Sequence, residues 1–288
     1  MDMFDIIVDR TSVRKPGARG ADKLRPMIWI DDPDDPRVGE YRRLRGRESD
    51  EVLWAEGPTV VERLLSSSLR TRSVLLSTAA FERLGTMVAQ SAGDNIGVYV
   101  AEQSVVNAIV DFELHRGAIA VADRPALSSV ESTLDSARVV LVLEGVNDTT
   151  NLGAIARSAR ALGADAMLLD STCADPYYRR SVRVSMGEMF HLRIARAPLD
   201  QLFGGLDSAG FTVWALTPRP EATPIGEAAR RGVPSRLALM FGAEGPGLSQ
   251  AVLARAINVR VPQRDDVDSL NVGHAVAAAL AVVASSAP

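Results

Sequence analysis

This sequence has little cysteine and few histidines. Cys173 is the only cysteine among 288 residues, which excludes an internal disulfide framework and a cysteine-based zinc site. This usage favours a reducing cytoplasm, and we expect Cys173 to serve in packing. The three histidines, His115, His191 and His274, are not at metal-ligand spacing, so we predict no metal site.

Positive charge, aromatic side chains and long apolar runs are also limited. The net charge is −4 at pH 7, so no global basic field attracts nucleic acid, although a local basic patch could do so. Lys15 and Lys23 are the only lysines; a GC-rich genome explains this more simply than selection for forked phosphate contacts. Aromatic residues make up 5% of the chain, which argues against a broad stacking platform for single strands. No apolar run reaches membrane-spanning length, and the acidic N-terminus lacks a signal-peptide pattern.

Two regions of alternating apolar strands and helices are present. The predicted divisions are an extension that could be mobile (1–40), a small α/β domain (41–125), a linker (126–135) and a larger α/β domain (136–288). The larger domain begins with a continuous apolar strand at 139–143, which is typical of a central parallel strand. Strands alternating with helices then predict a parallel, doubly wound sheet.

Three segments of the larger domain follow apolar strands or open helices. They read NLGAIAR at 151–157, FGAEGPGL at 241–248, and Pro262 followed by Ser-Leu-Asn at 269–271. Ligands of open α/β sheets bind where strands end, so folding could gather the three segments into one site. The glycines allow close backbone approach to a ligand, but structural turns explain them equally well. No dinucleotide or Walker fingerprint follows the first strand, so the ligand need not carry phosphates.

Single residues in these segments have ordinary explanations as well as functional ones. We predict that Asn151 opens a helix and that Arg157 lies on its second turn, where a cation slightly opposes the helix dipole. That position suggests a function, although Arg160 one turn later would also fit a plain solvated face. Ser269 and Asn271 precede an apolar helix, for which either residue is an ordinary N-cap.

The combination resembles the SpoU (TrmH-like) branch of the SPOUT RNA methyltransferases. The family's first motif matches Asn151, Gly153, Ile155 and Arg157; its second matches Phe241, Gly242, Glu244, Gly247 and Leu248; its third matches Val261, Pro262, Ser269, Leu270, Asn271 and Val272. The resemblance covers roughly residues 138–285. It departs at Gln263–Asp266, where the family commonly has Met-Gly, and at Gly273, where it usually has serine.

The resemblance implies a fold, a cofactor and partners. The expected fold is a C-terminal parallel-sheet SPOUT domain with a deep trefoil knot, plus a small N-terminal α/β domain that binds RNA. S-adenosylmethionine would be held in the knot, largely by backbone groups. The implied cofactor-binding residues are Leu216, Thr217, Gly242, Val261, Pro262 and Leu270. A homodimer through the C-terminal domain is also implied, with 272–283 as a candidate packing face.

The implied reaction is methyl transfer to a ribose 2′-hydroxyl of structured tRNA or rRNA. The family assigns activation of the hydroxyl to the arginine matching Arg157, as a base or as an electrostatic stabiliser. The implied supporting residues are Asn151, Glu244, Ser269 and Asn271. Local arginines at 179, 180 and 183 could contact the RNA. A non-catalytic RNA-binding or ribosome-assembly factor on the same fold is the main alternative, and a small-molecule methyltransferase is a third.

Overall fold

The computed structural model describes residues 27–42, 44, 49–91, 96–264, 266 and 269–286. The chain divides into two compact units, Met1–Arg124 and Pro125–Pro288. Lys15, Lys23, Arg43, Arg45 and Arg47 lie outside the described residues, as does most of the predicted extension.

The first unit is built on a five-stranded mixed sheet. Its strands are β1 (Ile28–Trp29), β2 (Val52–Glu56), β3 (Thr71–Ser77), β4 (Gly97–Ala101) and β5 (Ala118–Asp123). Its helices are α1 (Pro58–Leu65), α2 (Thr78–Ser91) and α3 (Gln103–Val110). The strand order is β1-β4-β3-β5-β2, in which β5 alone runs antiparallel to its neighbours. The carboxyl ends of β2, β3 and β4 therefore lie at the same edge as the start of β5.

Part of the stretch predicted as an extension belongs to this first unit. Ile28–Trp29 pair in parallel with β4, and a short 3-10 helix spans Pro36–Tyr41. Val38 and Tyr41 are fully buried in the core, and the Tyr41 hydroxyl lies 2.7 Å from Ser73 Oγ. Sequence patterning missed this segment because its aspartates and prolines disguise a few buried anchors between irregular stretches.

The second unit is built on a seven-stranded, fully parallel sheet. Its strands are β6 (Val139–Glu144), β7 (Ala166–Leu169), β8 (Arg193–Arg196), β9 (Thr212–Leu216), β10 (Thr223–Pro224), β11 (Leu237–Gly242) and β12 (Ile257–Arg260). Its helices are α4 (Val130–Leu134), α5 (Thr149–Ala161), α6 (Arg179–Val184), α7 (Leu199–Ser208), α8 (Ile225–Arg231), α9 (Gln250–Arg255) and α10 (Val272–Ser286). The order is β10-β12-β9-β11-β6-β7-β8. The predicted parallel α/β sheet is confirmed. Strands β6, β7 and β8 are added to one side of the sheet and the later strands to the other, so the topological switch point lies between β11 and β6.

The predicted linker at 126–135 is wrong as a description of this stretch. It contains α4, which Ser129 caps by accepting a hydrogen bond from the Ser132 amide. Val130 and Leu134 are buried in the core of the second unit, and Arg236 Nη2 donates to the Leu134 carbonyl at 2.6 Å. The serines and Pro125 suggested a linker, but two apolar side chains one turn apart fix the segment to the unit.

The described part of the chain contains neither a membrane-spanning helix nor a metal-binding cluster. No helix there is both long and apolar enough to cross a membrane. No group of three or more histidine, cysteine or acidic side chains there could hold a metal ion.

Candidate functional site

The loops that carry the three sequence segments leave one edge of the parallel sheet. Gly242, at the end of β11, pairs in register with Glu144 at the end of β6. On the other side of β11, the Thr217 amide donates to the Val259 carbonyl at 3.0 Å, which ties the end of β9 to β12. The carboxyl ends of four neighbouring strands therefore form a common platform, at the reversal point where open α/β sheets bind ligands.

Asn271 connects all three segments through its side-chain amide. Its Nδ2 donates to Asn151 Oδ1 at 2.8 Å and to Glu244 Oε1 at 2.7 Å. Its Oδ1 accepts from the amides of Gly273 (2.9 Å) and His274 (3.4 Å) at the start of α10. An amide group offers two N–H donors and one carbonyl oxygen, so this side chain is fully used. The N-cap role and the functional contact therefore belong to the same residue.

Asn151 does not open its helix, contrary to the prediction. Helix α5 begins at Thr149, and Asp148 is the N-cap, because its carboxylate accepts from the Asn151 amide at 2.8 Å. Asn151 is the third helical residue, and its side chain is consequently available to Asn271. Arg157 lies on the third turn of a helix of 13 residues. The helix-dipole argument for Arg157 is therefore wrong, since that effect fades beyond the first turn.

The first motif divides into packing residues and outward-facing residues. Ile155 is fully buried. Gly153 packs against α6, where an added Cβ would lie 2.7 Å from the Ser181 carbonyl oxygen. The side chain of Arg157 is exposed and makes no hydrogen bond or ion pair with any described residue. Arg157 follows Asn151 by six residues, about 9 Å along the helix and roughly 120° around it, so Asn151 and Arg157 face different directions within one chain.

The glycine-rich loop after β11 folds back on its own strand. The Gly247 amide donates to the Ala243 carbonyl at 3.0 Å, and both Gly245 (φ +86°) and Gly247 (φ +68°) have left-handed backbone conformations. A Cβ at Gly242 would lie 2.2 Å from the carbonyl carbon of Gly247. Gly242 is thus required by the turn itself, which supports the structural explanation left open by the sequence.

Glu144 is a site residue that the sequence reasoning missed. Its Oε2 accepts from the Ser249 amide at 2.9 Å, where the glycine-rich loop ends and α9 begins. The carboxylate therefore holds the far end of the loop whose near end leaves the neighbouring strand at Gly242. A carboxylate at the end of an interior strand was a visible signal, but its backbone partner lies 105 residues away.

The remaining predicted residues lie on the same strand ends and loops. Thr217 is buried, Leu216 and Val261 are half-buried, and Pro262 is exposed. Leu270 is 40% exposed, one of two large exposed apolar side chains in the described structure. Ser269 is exposed and has no hydrogen-bond partner among the described residues, so nothing in the geometry assigns it a contact.

Cys173 lies outside this chemistry, as its sequence context predicted. The side chain is buried, and its Sγ donates to the Leu143 carbonyl at 3.3 Å. Burial, with the nearby Asp170 carboxylate, raises the pKa of the Cys173 thiol to about 12. Because the thiolate is the nucleophilic form, this cysteine is inert near neutral pH.

Comparison with known proteins identifies the family of this chain. The model of the SpoU rRNA Methylase family matches residues 138–281, which include all three segments joined by Asn271. A protein of Mycobacterium tuberculosis, named as an uncharacterized tRNA/rRNA methyltransferase, is 41% identical over 261 residues, covering 87% of this chain and 88% of that protein. The chain belongs to the SpoU rRNA methylase family. The sequence-based assignment to the SpoU branch is confirmed, and membership indicates an RNA methyltransferase.

More distant relatives of this SpoU protein span nearly the whole chain. The 23S rRNA (guanosine(2553)-2′-O)-methyltransferase of Bacillus subtilis is 28% identical and covers 89% of this chain and 98% of its own length. The crystal structure of the AdoMet-bound rRNA methyltransferase from Sinorhizobium meliloti is 22% identical, with a TM-score of 0.72 over 89% of this chain and 97% of that one. That structural likeness supports the α/β fold of the chain.

Proposed function

We propose that this SpoU protein transfers a methyl group from S-adenosylmethionine to a ribose 2′-hydroxyl of structured RNA, either rRNA or tRNA. The observation that carries the proposal is the Asn271 side chain, which joins Asn151 and Glu244 at the end of the sheet. Relatives named for 2′-O-methylation of 23S rRNA support the position of the methyl group. The 2′-hydroxyl also distinguishes RNA from DNA as the substrate.

S-adenosylmethionine is the cofactor, and the strand-end platform fits it chemically. When bound, it supplies an electrophilic methyl group. Leu270 offers an exposed apolar side chain beside the platform, which a neutral adenine ring could cover without a phosphate cradle. Leu216 ends β9, and Thr217 and Val261 directly follow the adjacent strands β9 and β12, so we infer that their backbone groups hold the nucleoside. Gly242 and Pro262 border the same position, and Glu144 restrains the glycine-rich loop.

Arg157 is the residue that we propose to act on the hydroxyl. A guanidinium remains protonated at physiological pH, so it is best suited to stabilise the forming alkoxide electrostatically. Asn151, Glu244 and Asn271 would orient the ribose and the donor, a role that the family resemblance also gives to Ser269. Because Arg157 and Asn151 face different directions in one chain, we infer that a homodimer through the second unit completes the site.

Two broader parts of the proposal concern the architecture. The third motif lies between β12 and α10, and we infer that this region forms the deep trefoil knot of SPOUT enzymes. The first unit would supply RNA recognition, which separates substrate binding from methyl transfer. The folded tRNA or rRNA would be read mainly through shape and backbone, because aromatic residues are few.

Calorimetry and methyl mapping together test this function. The full chain is titrated with S-adenosylmethionine and then incubated with labelled donor and total RNA from a strain lacking the gene. We expect the protein to bind S-adenosylmethionine and to methylate the ribose of one defined nucleotide, whose 3′ phosphodiester bond then resists alkali. Methylation of a base instead would contradict the 2′-O assignment. Absence of donor binding by the intact dimer would favour a non-catalytic RNA-binding factor, and donor binding with no RNA product would favour a small-molecule methyltransferase.

A further inference from the structure

The first unit contains a cleft at the edge of the sheet where β2, β3 and β4 end and β5 begins. Arg83, on α2, and Arg116, in the loop before β5, line the cleft together with Pro58, Ser77, Ala80 and Gln103. Both arginines are exposed, and neither makes a hydrogen bond or ion pair with any described residue.

Arginines at the opposite edge of the same sheet are neutralised by carboxylates. Arg70 and Arg72, at the start of β3, both pair with Asp123, at the end of β5. Arg72 Nη1 also lies 2.9 Å from Glu40 Oε1. At the edge that carries the cleft, Arg83 and Arg116 have no ion-pair partner among the described residues, although Glu56 and Glu102 lie at the ends of β2 and β4.

The backbone that carries Arg116 is held tightly in an unusual conformation. Arg116 (φ +67°) and Gly117 (φ +56°) are both left-handed, a conformation uncommon for residues other than glycine. The Ser77 amide donates to the Gly117 carbonyl at 2.6 Å. A Cβ at Gly117 would lie 2.1 Å from Ser77 Oγ. Gln103 Nε2 also donates to the Leu114 carbonyl at 3.1 Å, so the loop aims Arg116 outward from a fixed base.

The same edge carries the N-termini of three helices. Helices α1, α2 and α3 begin at Pro58, Thr78 and Gln103, directly after strands β2, β3 and β4. Neither α1 nor α3 has a side chain that accepts a hydrogen bond at its N-cap. The dipoles of these helices add positive potential beside the arginines.

We propose that this cleft binds the phosphate backbone of the RNA substrate, with Arg83 and Arg116 each contacting a phosphate. The inference rests on the proposed function and assigns its RNA-recognition step to these residues. Guanidinium groups match phosphate oxygens in a forked geometry. A rigid base for one of them reduces the entropy lost on binding.

The test is a salt series of equilibrium RNA binding with the full-length protein. The probe is total ribosomal RNA from a strain lacking the gene, and the variant is Arg83→Ala/Arg116→Ala. The matched control is Arg37→Ala/Arg70→Ala, which removes the same charge from ion-paired arginines of the same unit. We expect the cleft variant to lose about tenfold in affinity and its log–log salt slope to fall by about 1.5–2. Arg83→Lys/Arg116→Lys should keep most of the slope.

Equal losses in the two double variants would overturn the proposal, because they would show a general charge effect. Wild-type affinity in the cleft variant, with methylation and S-adenosylmethionine binding intact, would overturn the cleft alone and leave the proposed function standing. Failure of the wild-type protein to bind the donor or methylate RNA would reject the proposed function and this inference together. Loss of poly-glutamate binding without loss of RNA binding would assign the cleft to an acidic protein segment and contradict the RNA site.

Discussion

The two units use polar side chains at their strand ends in opposite ways. In the second unit, Asn271 joins Asn151 and Glu244, and Glu144 holds the Ser249 amide. In the first unit, Arg83 and Arg116 line a cleft without a partner among the described residues. Side chains held by hydrogen bonds keep a fixed geometry, which catalysis requires. Arginines without an ion-pair partner are instead available to attract a polyanion such as RNA. The contrast thus separates a site suited to catalysis from one suited to binding.

Arg157 is the residue that tests this contrast most severely, because its side chain has no ion-pair partner among the described residues of the second unit. If it stabilises the forming alkoxide, Arg157→Ala should lower kcat by about 10²–10³-fold and leave S-adenosylmethionine affinity nearly unchanged. Single-turnover methylation and calorimetry measure the two effects. Arg160→Ala, one turn later on α5, is the control and should stay close to wild type. A rise confined to the KM for RNA would place Arg157 with the binding arginines instead.

Gly242→Ala should strongly disturb the glycine-rich loop. The new Cβ would meet backbone atoms of Gly247 and Leu248, so the loop must move. We expect S-adenosylmethionine affinity to fall by about tenfold or more, which corresponds to ~1.4 kcal/mol. Gly204→Ala on α7 is the matched control, because a Cβ there meets nothing within 4 Å. Unchanged donor affinity in Gly242→Ala would show that the loop does not contact the donor.

Asn271 can be dissected by two substitutions. Asn271→Ala removes the cap of α10, at about 1 kcal/mol of stability, together with the contacts to Asn151 and Glu244. Asn271→Asp should preserve the cap but replaces both N–H donors with a carboxylate beside Glu244. We expect both variants to lose activity and only Asn271→Ala to lose substantial stability in chemical denaturation. Normal activity in Asn271→Asp would reduce this cluster to a helix cap.

We expect Glu144 to position the glycine-rich loop rather than to contact the reacting groups. Glu144→Gln keeps an acceptor for the Ser249 amide but removes the charge, so we expect a few-fold rise in the KM for S-adenosylmethionine. Glu144→Ala should raise it further, with kcat little changed. Steady-state kinetics at saturating RNA separates the two constants. An equal fall in kcat for both variants would point instead to a direct chemical role.

The smallest expected effect is that of thiol-specific reagents on native Cys173. Its pKa is raised to about 12, so the thiol stays protonated at pH 7–9 in the folded state. Thiol-specific reagents should react only after denaturation, when the pKa returns to its ordinary value. Reaction of the native protein at a rate similar to that of a free thiol would show that the Leu143–Asp170 surroundings open readily.

Sequence patterning predicted much of the fold and the members of the Asn271 cluster. The continuous apolar run at 139–143 became the interior strand β6, and the matched motifs identified the SpoU family. Local patterns failed where a few long-range contacts decide the structure. Tyr41 and Val130 are buried anchors in segments that resemble an extension and a linker, and periodicity cannot detect single anchors.

Residue types and spacing by themselves determined the alternating strands and helices, and the resemblance of three motifs to the SpoU family supplied the candidate residues Asn151, Glu244 and Asn271. Tertiary structure decided how those residues are used. It made Asn271 the shared donor, assigned the α5 cap to Asp148 and gave Glu144 a backbone partner from across the sheet. It also left Arg83 and Arg116 without an ion-pair partner among the residues that the structure describes. The physical reason is that hydrogen bonds and charge compensation depend on neighbours in space, which the folded sheet alone brings together.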